Sequence, residues 1–361
     1  MRKEGCLMRT PYSVSINMGK SCNFRCSYCF EVKNGSVEST DKLQSNVKKR
    51  VIEVLHLLAD MHDLRIEFWG AEPTIYFHDI YDIINEFADN EHVTFFLYTN
   101  GSLVQSLKDK LLEINDKVGE RLQIQVSYDY HNIEDNQRFQ LNKTIEETDK
   151  IVRDAIKFFD ENDFNFGTKS TCTMKDLEEN LYQQYINFEN FNKELKHKVR
   201  FVLTPDTLNV GNVDYDKMHK QFIKLIKYFL KYKQFGKTGF MWFDMNANVD
   251  CSGGANSFQV DLDGKVTYCH GCLYGNEDLF YTTIFDDNFL HKVDFNCLVQ
   301  NNLFKKQKQC QDCTSVFCFR CNAVNCGGDI EYWDAPNKKD VCKLYNKISD
   351  YIKAYKQMAT A

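Results

Sequence analysis

The chain has 361 residues and a mass of 42.4 kDa, enough for one large α/β barrel or two domains of moderate size. Its net charge of −6 excludes the basic face that a general nucleic-acid surface needs, so no nucleic-acid partner is expected. No stretch reaches the roughly 18 consecutive apolar residues of a membrane span, and the start has no apolar signal core. We therefore expect a cytoplasmic protein without a membrane partner.

The first 235 residues alternate strand-like and helix-like segments. Strands are predicted over 12–18, 64–70, 92–101, 122–129, 164–174 and 199–204. Helices are predicted over 40–60, 80–88, 143–161, after Asp176 and over 215–233. About six β-then-α units indicate an α/β fold with a parallel sheet, a partial (β/α)6 barrel of the TIM type. In such folds the chemistry lies at the carboxyl ends of the strands.

The 15 cysteines are unevenly distributed. Five lie in the first 250 residues, and ten crowd the segment from Cys251 to Cys342. This change of composition predicts a boundary near residues 235–250, with a barrel domain over 1–235 and a cysteine-rich domain over 236–361. A reducing compartment disfavours disulfides, so metal or cluster ligation is the leading explanation for the cysteines.

Three of these cysteines lie close together, because residues 22–30 read CNFRCSYCF. Thiolates bind soft metals and iron–sulfur clusters, and no fourth cysteine is near enough in sequence to complete a zinc site. A [4Fe–4S] cluster held by three cysteines keeps one iron open, and an open coordination position is typical of a reactive metal site. The alternatives are a structural metal knuckle or three unrelated buried cysteines.

The spacing CX3CX2C, with Tyr28 before the last cysteine, resembles the radical S-adenosylmethionine (SAM) superfamily. The resemblance implies that Cys22, Cys26 and Cys29 hold a [4Fe–4S] cluster whose open iron binds SAM. It further implies that an electron cleaves SAM to methionine and a 5′-deoxyadenosyl radical, which abstracts hydrogen from the substrate. A flavodoxin- or ferredoxin-type protein would be the electron donor.

Further segments match the family pattern in the expected order. Gly70-Ala71-Glu72-Pro73 resembles its GGEP segment, with alanine in place of the second glycine. Thr99-Asn100-Gly101 and Ser127-Tyr128-Asp129 resemble two strand ends that surround SAM, and Arg138 resembles an arginine that follows the fourth strand. The residues that the resemblance assigns to SAM binding are Tyr28, Gly70, Ala71, Glu72, Pro73, Thr99, Asn100, Ser127, Asp129 and Arg138.

The cysteine-rich tail begins with a predicted β-hairpin. Cys251 and Cys269 flank two alternating segments joined at Asp263-Gly264, a strong turn signal. A second group follows: Cys310, Cys313, Cys318, Cys321, Cys326 and Cys342. A zinc ribbon is the alternative to clusters here, because CxxC pairs are common zinc ligands.

The tail resembles the SPASM extension of radical SAM enzymes, which carries two auxiliary [4Fe–4S] clusters. It departs from the pattern, because four residues rather than five separate Cys313 from Cys318. The gap after Cys318 is two or seven residues, depending on whether Cys321 is counted. The resemblance assigns a distal cluster to Cys310, Cys313, Cys318 and Cys342, and a nearer cluster to Cys251, Cys269 and Cys321. Its fourth ligand stays open: Cys326, Cys272 or none.

The SPASM branch mostly modifies peptides and proteins, so we expect a peptide-modifying oxidoreductase that matures a ribosomally made peptide. The product would be a thioether, a carbon–carbon crosslink or an epimerised residue. The core begins within about fifteen residues of Met1. This start leaves no room for a leader-recognition domain, so a separate leader-recognition protein is a possible partner.

Two other functions stay open. Anaerobic sulfatase maturases, which form formylglycine from cysteine or serine, place an aspartate base directly after the hairpin cysteine, where this chain has His270. A structural zinc or iron–sulfur protein is the non-enzymatic alternative. Cys172 is a candidate hydrogen donor to a product radical or a small core residue, and Asp129 is a further candidate catalytic residue.

Overall fold

The computed structural model describes residues 9–33, 35–206, 213–245, 256–267, 282–293 and 338–360. Nine strands in these ranges form one sheet, in the order β6-β5-β4-β3-β2-β1-β7-β8-β9. The strands are β1 (Thr10–Asn17), β2 (His62–Trp69), β3 (Val93–Thr99), β4 (Leu122–Ser127), β5 (Asn165–Cys172), β6 (Phe201–Pro205), β7 (Ser257–Val260), β8 (Lys265–Thr267) and β9 (Thr282–Thr283).

Helices lie between the first six strands and also follow the sixth. They are α1 (Phe30–Lys33), α2 (Ser45–Met61), α3 (Phe77–Glu86), α4 (Val104–Val118), α5 (Ile145–Glu161), α6 (Leu181–Glu194), α7 (Tyr215–Tyr232), α8 (Met241–Asp244), α9 (Phe289–Val293) and α10 (Lys338–Thr360). Sequence reasoning did not predict α4, although its buried residues Val104, Leu111, Ile114 and Val118 follow helical spacing. Among the described helices, none is both long and apolar enough to cross a membrane.

Strands β1 to β6 pair in parallel, each with its neighbour in the chain. Parallel pairing requires a crossover between strands, and the helices provide it. β1 and β6 are not paired with each other, so the six strands make an unclosed barrel. The predicted partial (β/α)6 barrel is confirmed.

The two faces of the sheet differ. On the outer face, residues such as Val14, Ile66 and Leu97 are buried in a continuous core. On the opposite face, which we call the inner face, side chains such as Ser15 and Gln125 are only half-buried. This alternation of buried and half-buried residues is the period-two pattern of a strand with one packed face.

The predicted hairpin is also present. β7 and β8 are antiparallel, and Gly264, at φ 86°, lies in the turn between them. β7 pairs in parallel with β1, so the hairpin extends the barrel sheet. Cys251 and Cys269, which flank the hairpin in sequence, lie outside the described residues, and the division into domains at residue 235 stays a prediction.

The register brings the ends of the strands together. Asn17 is paired with Trp69, Thr99 with Val126, and Ser127 with Lys169. The carboxyl ends of β1 to β6 therefore meet at one edge of the sheet, the carboxyl edge. The last residues of these strands and the loops that follow them contain the three-cysteine segment and every SAM-binding segment predicted above.

Candidate functional site

A second segment of the chain, residues 137–141, is hydrogen-bonded to the three-cysteine loop. The backbone N–H groups of Arg25 and Ser27 donate to the carbonyl oxygens of Phe139 and Gln137, at 2.9 and 3.0 Å. Leu141 N–H donates in turn to the carbonyl of Asn23 at 2.9 Å. Three backbone hydrogen bonds thus fasten the loop after β1 to the residues that follow β4, and Arg138 lies in the middle of this second segment.

Glu72 joins the loops after β2 and β3. Its carboxylate is 1% exposed. It accepts hydrogen bonds from Thr74 N–H at 3.1 Å, Thr74 Oγ1 at 2.5 Å, Thr99 Oγ1 at 2.8 Å and Asn100 N–H at 2.7 Å. Burial raises the pKa of Glu72, and these four donors oppose the rise because they stabilise the charged form.

The backbone of the same loop is bound to the segment before Cys22. Ala71 N–H donates to Gly19 O and Glu72 N–H donates to Ser21 O, both at 3.1 Å. Gly70 has φ +139°, and a Cβ on it would lie 2.6 Å from Gly19 O. Glycine is therefore required at position 70 by both conformation and space. Ala71 has no such constraint, and so the alanine is compatible with this loop.

The cysteine sulfurs meet few donors. Cys22 Sγ accepts from Phe24 N–H at 3.3 Å and from Asn100 Nδ2 at 3.9 Å. Burial, with a contribution from Glu72, raises the pKa of Cys22 to about 12. Burial also raises the pKa of Cys26 to about 11, against the opposing charge of Arg138. Both side chains are thus thiols at neutral pH, and iron binding must displace their protons.

Tyr28, Asp129 and Arg138 form a buried network beside Cys26. Tyr28 OH donates to Asp129 Oδ2 at 2.6 Å and accepts from Arg138 Nη1 at 2.8 Å. Asp129 Oδ1 accepts from Thr171 N–H at 2.8 Å, so β4 and β5 both contribute to the network. Arg138 Nε is buried without a hydrogen-bond partner among the described residues. An orphaned guanidinium N–H at this edge is suited to a bound anion.

The three side chains of the loop fit an iron–sulfur cluster. Cysteine thiolates are the ligands of such clusters, and Cys22 lies near enough to Cys26 and Cys29 for their charges to raise its pKa. Cys22, Cys26 and Cys29 are the residues that would hold such a cluster, which when bound supplies an electron and an open iron.

Residues 16–176, which run from β1 to the end of β5, match the model of the Radical SAM superfamily. This segment is a radical SAM domain. The match includes the three-cysteine loop and every predicted SAM-binding residue at the carboxyl edge. No curated protein is similar enough in sequence to match the chain.

Solved structures share the fold of nearly the whole chain. The structure of anSMEcpe with bound AdoMet and Cp18Cys peptide has a TM-score of 0.67 at 20% identity, covering 97% of this chain and 99% of that one. anSMEcpe with AdoMet and Kp18Cys peptide has a TM-score of 0.69 at 19% identity, with the same coverage. Streptococcus suis SuiB bound to S-adenosylmethionine has a TM-score of 0.58 at 16% identity, covering 87% and 72%.

The radical SAM domain brings most of the predicted SAM-binding residues to the carboxyl edge. Glu72, Pro73, Thr99 and Asn100 are buried there, and Ser127 is half-buried at the end of β4. Cys342, in contrast, is exposed on α10. Some predicted residues lie outside the described ranges: His270 and the metal ligands Cys251, Cys269, Cys310, Cys313, Cys318, Cys321 and Cys326.

Cys172 lies on the outer face of β5, fully buried with Thr168 and Ser170. Burial raises its pKa well above the ordinary value for a thiol. This placement favours core packing over hydrogen donation, the two roles that the sequence left open for this residue. The structure adds a buried contact that the sequence did not reveal: His131 Nε2 lies 3.0 Å from Asp176 Oδ1, and the carboxylate raises the pKa of His131 against the effect of burial.

Replacing Gly70 with alanine should disrupt this site. The new Cβ would push against Gly19 O and displace the segment that leads into Cys22. Because a shift of about 1 Å can cost about 100-fold in rate, we expect a fall of that order in 5′-deoxyadenosine formation from SAM. Gly119→Ala is the matched control: Gly119 also has positive φ, but its Cβ would meet nothing. Equal losses in both variants would contradict the steric explanation.

Replacing Glu72 with glutamine should destabilise the apo-protein. The amide nitrogen cannot accept hydrogen bonds, so buried donors from Thr74, Thr99 or Asn100 lose their partner. We expect the free energy of unfolding in urea to fall by about 2 kcal/mol. The exposed Glu91→Gln substitution makes the same change in charge and should leave the unfolding curve unchanged.

Proposed function

We propose that this protein reductively cleaves SAM and uses the resulting 5′-deoxyadenosyl radical to abstract hydrogen from a peptide substrate. One observation carries the proposal: the parallel sheet gathers the three-cysteine loop and four SAM-type segments at a single edge. The hydrogen leaves the substrate with one electron, and 5′-deoxyadenosine is the product. The electron for each cleavage would come from a flavodoxin- or ferredoxin-type donor.

The chain's own residues have separate parts in this reaction. Cys22, Cys26 and Cys29 would hold the cluster. The loop from Gly70 to Pro73, fixed by Glu72, would bind the amino group of SAM. Arg138, whose Nε has no partner in the structure, would bind the carboxylate. Asp129 would then act as a positioning residue, because it holds Tyr28 and the backbone of β5.

A peptide is the substrate class that the comparisons favour. The structurally similar anSMEcpe was solved with bound peptides, and its fold covers 97% of this chain. We propose that residues 236–361 form a SPASM-type domain with one or two auxiliary [4Fe–4S] clusters. The reaction would be the maturation of a ribosomally made peptide, with a separate leader-recognition protein as a possible partner. The cytoplasmic location stays a prediction.

Formylglycine formation on a protein cysteine or serine is the second candidate function. The similarity in fold to anSMEcpe supports this candidate. His270, where sulfatase maturases have an aspartate, counts against it. The genes beside this one would separate the two candidates. A short cysteine-rich precursor peptide would support peptide maturation, and an adjacent sulfatase would support formylglycine formation.

Replacing Cys22, Cys26 and Cys29 together with alanine tests the proposal. After anaerobic reconstitution the unmodified protein should carry about eight irons per chain with one auxiliary cluster or about twelve with two, and the variant about four fewer. Under reduction the variant should release no 5′-deoxyadenosine from SAM, because the cluster that would bind SAM is lost.

Cys6→Ala, outside every motif, is the control and should keep both iron and cleavage. Persistent cleavage in the triple variant would show that the loop is not the SAM site. Zinc alone in the purified protein would support the structural, non-enzymatic function instead.

A further inference from the structure

Lys169 is a charged residue on the inner face of β5. Thr168 and Ser170, its neighbours in the strand, are buried on the outer face. Lys169 is half-buried and alternates with them, so its side chain belongs to the inner face. It is paired in register with Ser127 of β4 and Val202 of β6. The lysine thus stands one strand away from a predicted SAM-binding residue.

The ammonium group of Lys169 has no counter-charge among the residues that the structure describes, and its Nζ makes no hydrogen bond or ion pair with them. Burial lowers the pKa of Lys169, and within the same ranges no carboxylate lies close enough to oppose this effect. Arg65, another inner-face cation, is in contrast 3.1 Å from Glu67. Shielding a cation from water is costly when no anion stands beside it, so a missing anion is expected beside Lys169.

Open space adjoins this lysine. Gly167 lies two residues before Lys169, on the same face, and a Cβ on it would meet no atom within 4 Å. Its φ is not in the left-handed region, so the backbone does not require glycine there. Pairing with β4 continues through Gly167, opposite Gln125, so there is no bulge to explain the residue. A glycine in such a strand often marks the close approach of a ligand.

We propose that Lys169 and the space over Gly167 form a subsite for a carboxylate of the peptide substrate, such as an aspartate or glutamate side chain. The inference rests on the function proposed above and adds a specificity determinant to it. The anion is assigned to the substrate rather than to SAM because of where the open space lies relative to the SAM-type loops. Gly167 lies toward the amino end of β5, so the open space extends away from the carboxyl edge where the SAM-type loops meet. An ion pair formed there, largely shielded from water, would select acidic peptides.

Two capped synthetic peptide pools provide the test, each random except for one central position fixed as glutamate or as glutamine. The reconstituted holoenzyme is mixed with each pool in the presence of SAM, and the retained peptide is measured by mass spectrometry. The unmodified enzyme should retain the glutamate pool about tenfold better, the value expected for a buried charge-assisted hydrogen bond. Lys169→Met should abolish this preference, and it should fold well because it removes an uncompensated buried charge.

Gly167→Val is a second variant that keeps the charge. It should fill the open space and also reduce the preference, since valine is favoured in strands and its Cβ meets no neighbour. Gly236→Ala is the control, because a Cβ at that position also meets no atom within 4 Å, and it should keep the preference for the glutamate pool. A preference that is absent in the unmodified enzyme, or that survives in Lys169→Met, would overturn the proposal.

The affinity of each protein for SAM must be measured in parallel. If Lys169→Met weakens SAM binding tenfold and leaves the peptide preference intact, the lysine serves SAM's carboxylate and the substrate subsite is refuted. Release of 5′-deoxyadenosine from SAM without peptide should be the same in the unmodified enzyme and in both variants. Loss of that reaction in all three proteins would instead refute the function proposed above, so the two failures are distinguishable.

Discussion

The buried carboxylate of Glu72 receives hydrogen bonds from groups that belong to two different strand ends. Its own backbone N–H reaches back to Ser21, next to the first cysteine of the loop. One carboxylate therefore fixes the relative positions of the loops after β1, β2 and β3. A buried charge is tolerated only where enough donors surround it, so these loops must adopt the arrangement that brings the donors together.

A second network fixes the other half of the carboxyl edge. Asp129 links Tyr28 of the cysteine loop to β5, and Arg138 closes the network from the segment after β4. Both networks are largely buried, and burial also raises the pKa values of Cys22 and Cys26. Such thiols are poor ligands until iron displaces their protons. The buried surroundings that order the cysteine loop therefore also make the binding of iron to this loop dependent on pH.

Strands were the easier part to predict. Segments such as LRIEFWG and HVTFFLYTNG combine β-branched and aromatic residues with alternation, and the structure has β2 and β3 there. α4 was missed although its apolar spacing is helical, because its sequence is rich in polar and charged residues between the apolar positions. The Asp263-Gly264 turn was predicted correctly because a two-residue signal decides a hairpin locally. Its place beside β1 depends on contacts between distant residues, and no local signal specifies those.

The sequence by itself determined the chemistry of the site: three cysteines at fixed spacing, and the strand-end segments that accompany them. These are properties of neighbouring residues, so they can be read along the chain. Only the tertiary structure decided which face of each strand a side chain occupies. It buried Cys172 in the outer core, placed Lys169 on the inner face with no counter-charge in the described part of the chain, and joined Arg138 to Tyr28. Those outcomes depend on the register and packing of strands far apart in sequence, where a shift of one residue would exchange the two faces.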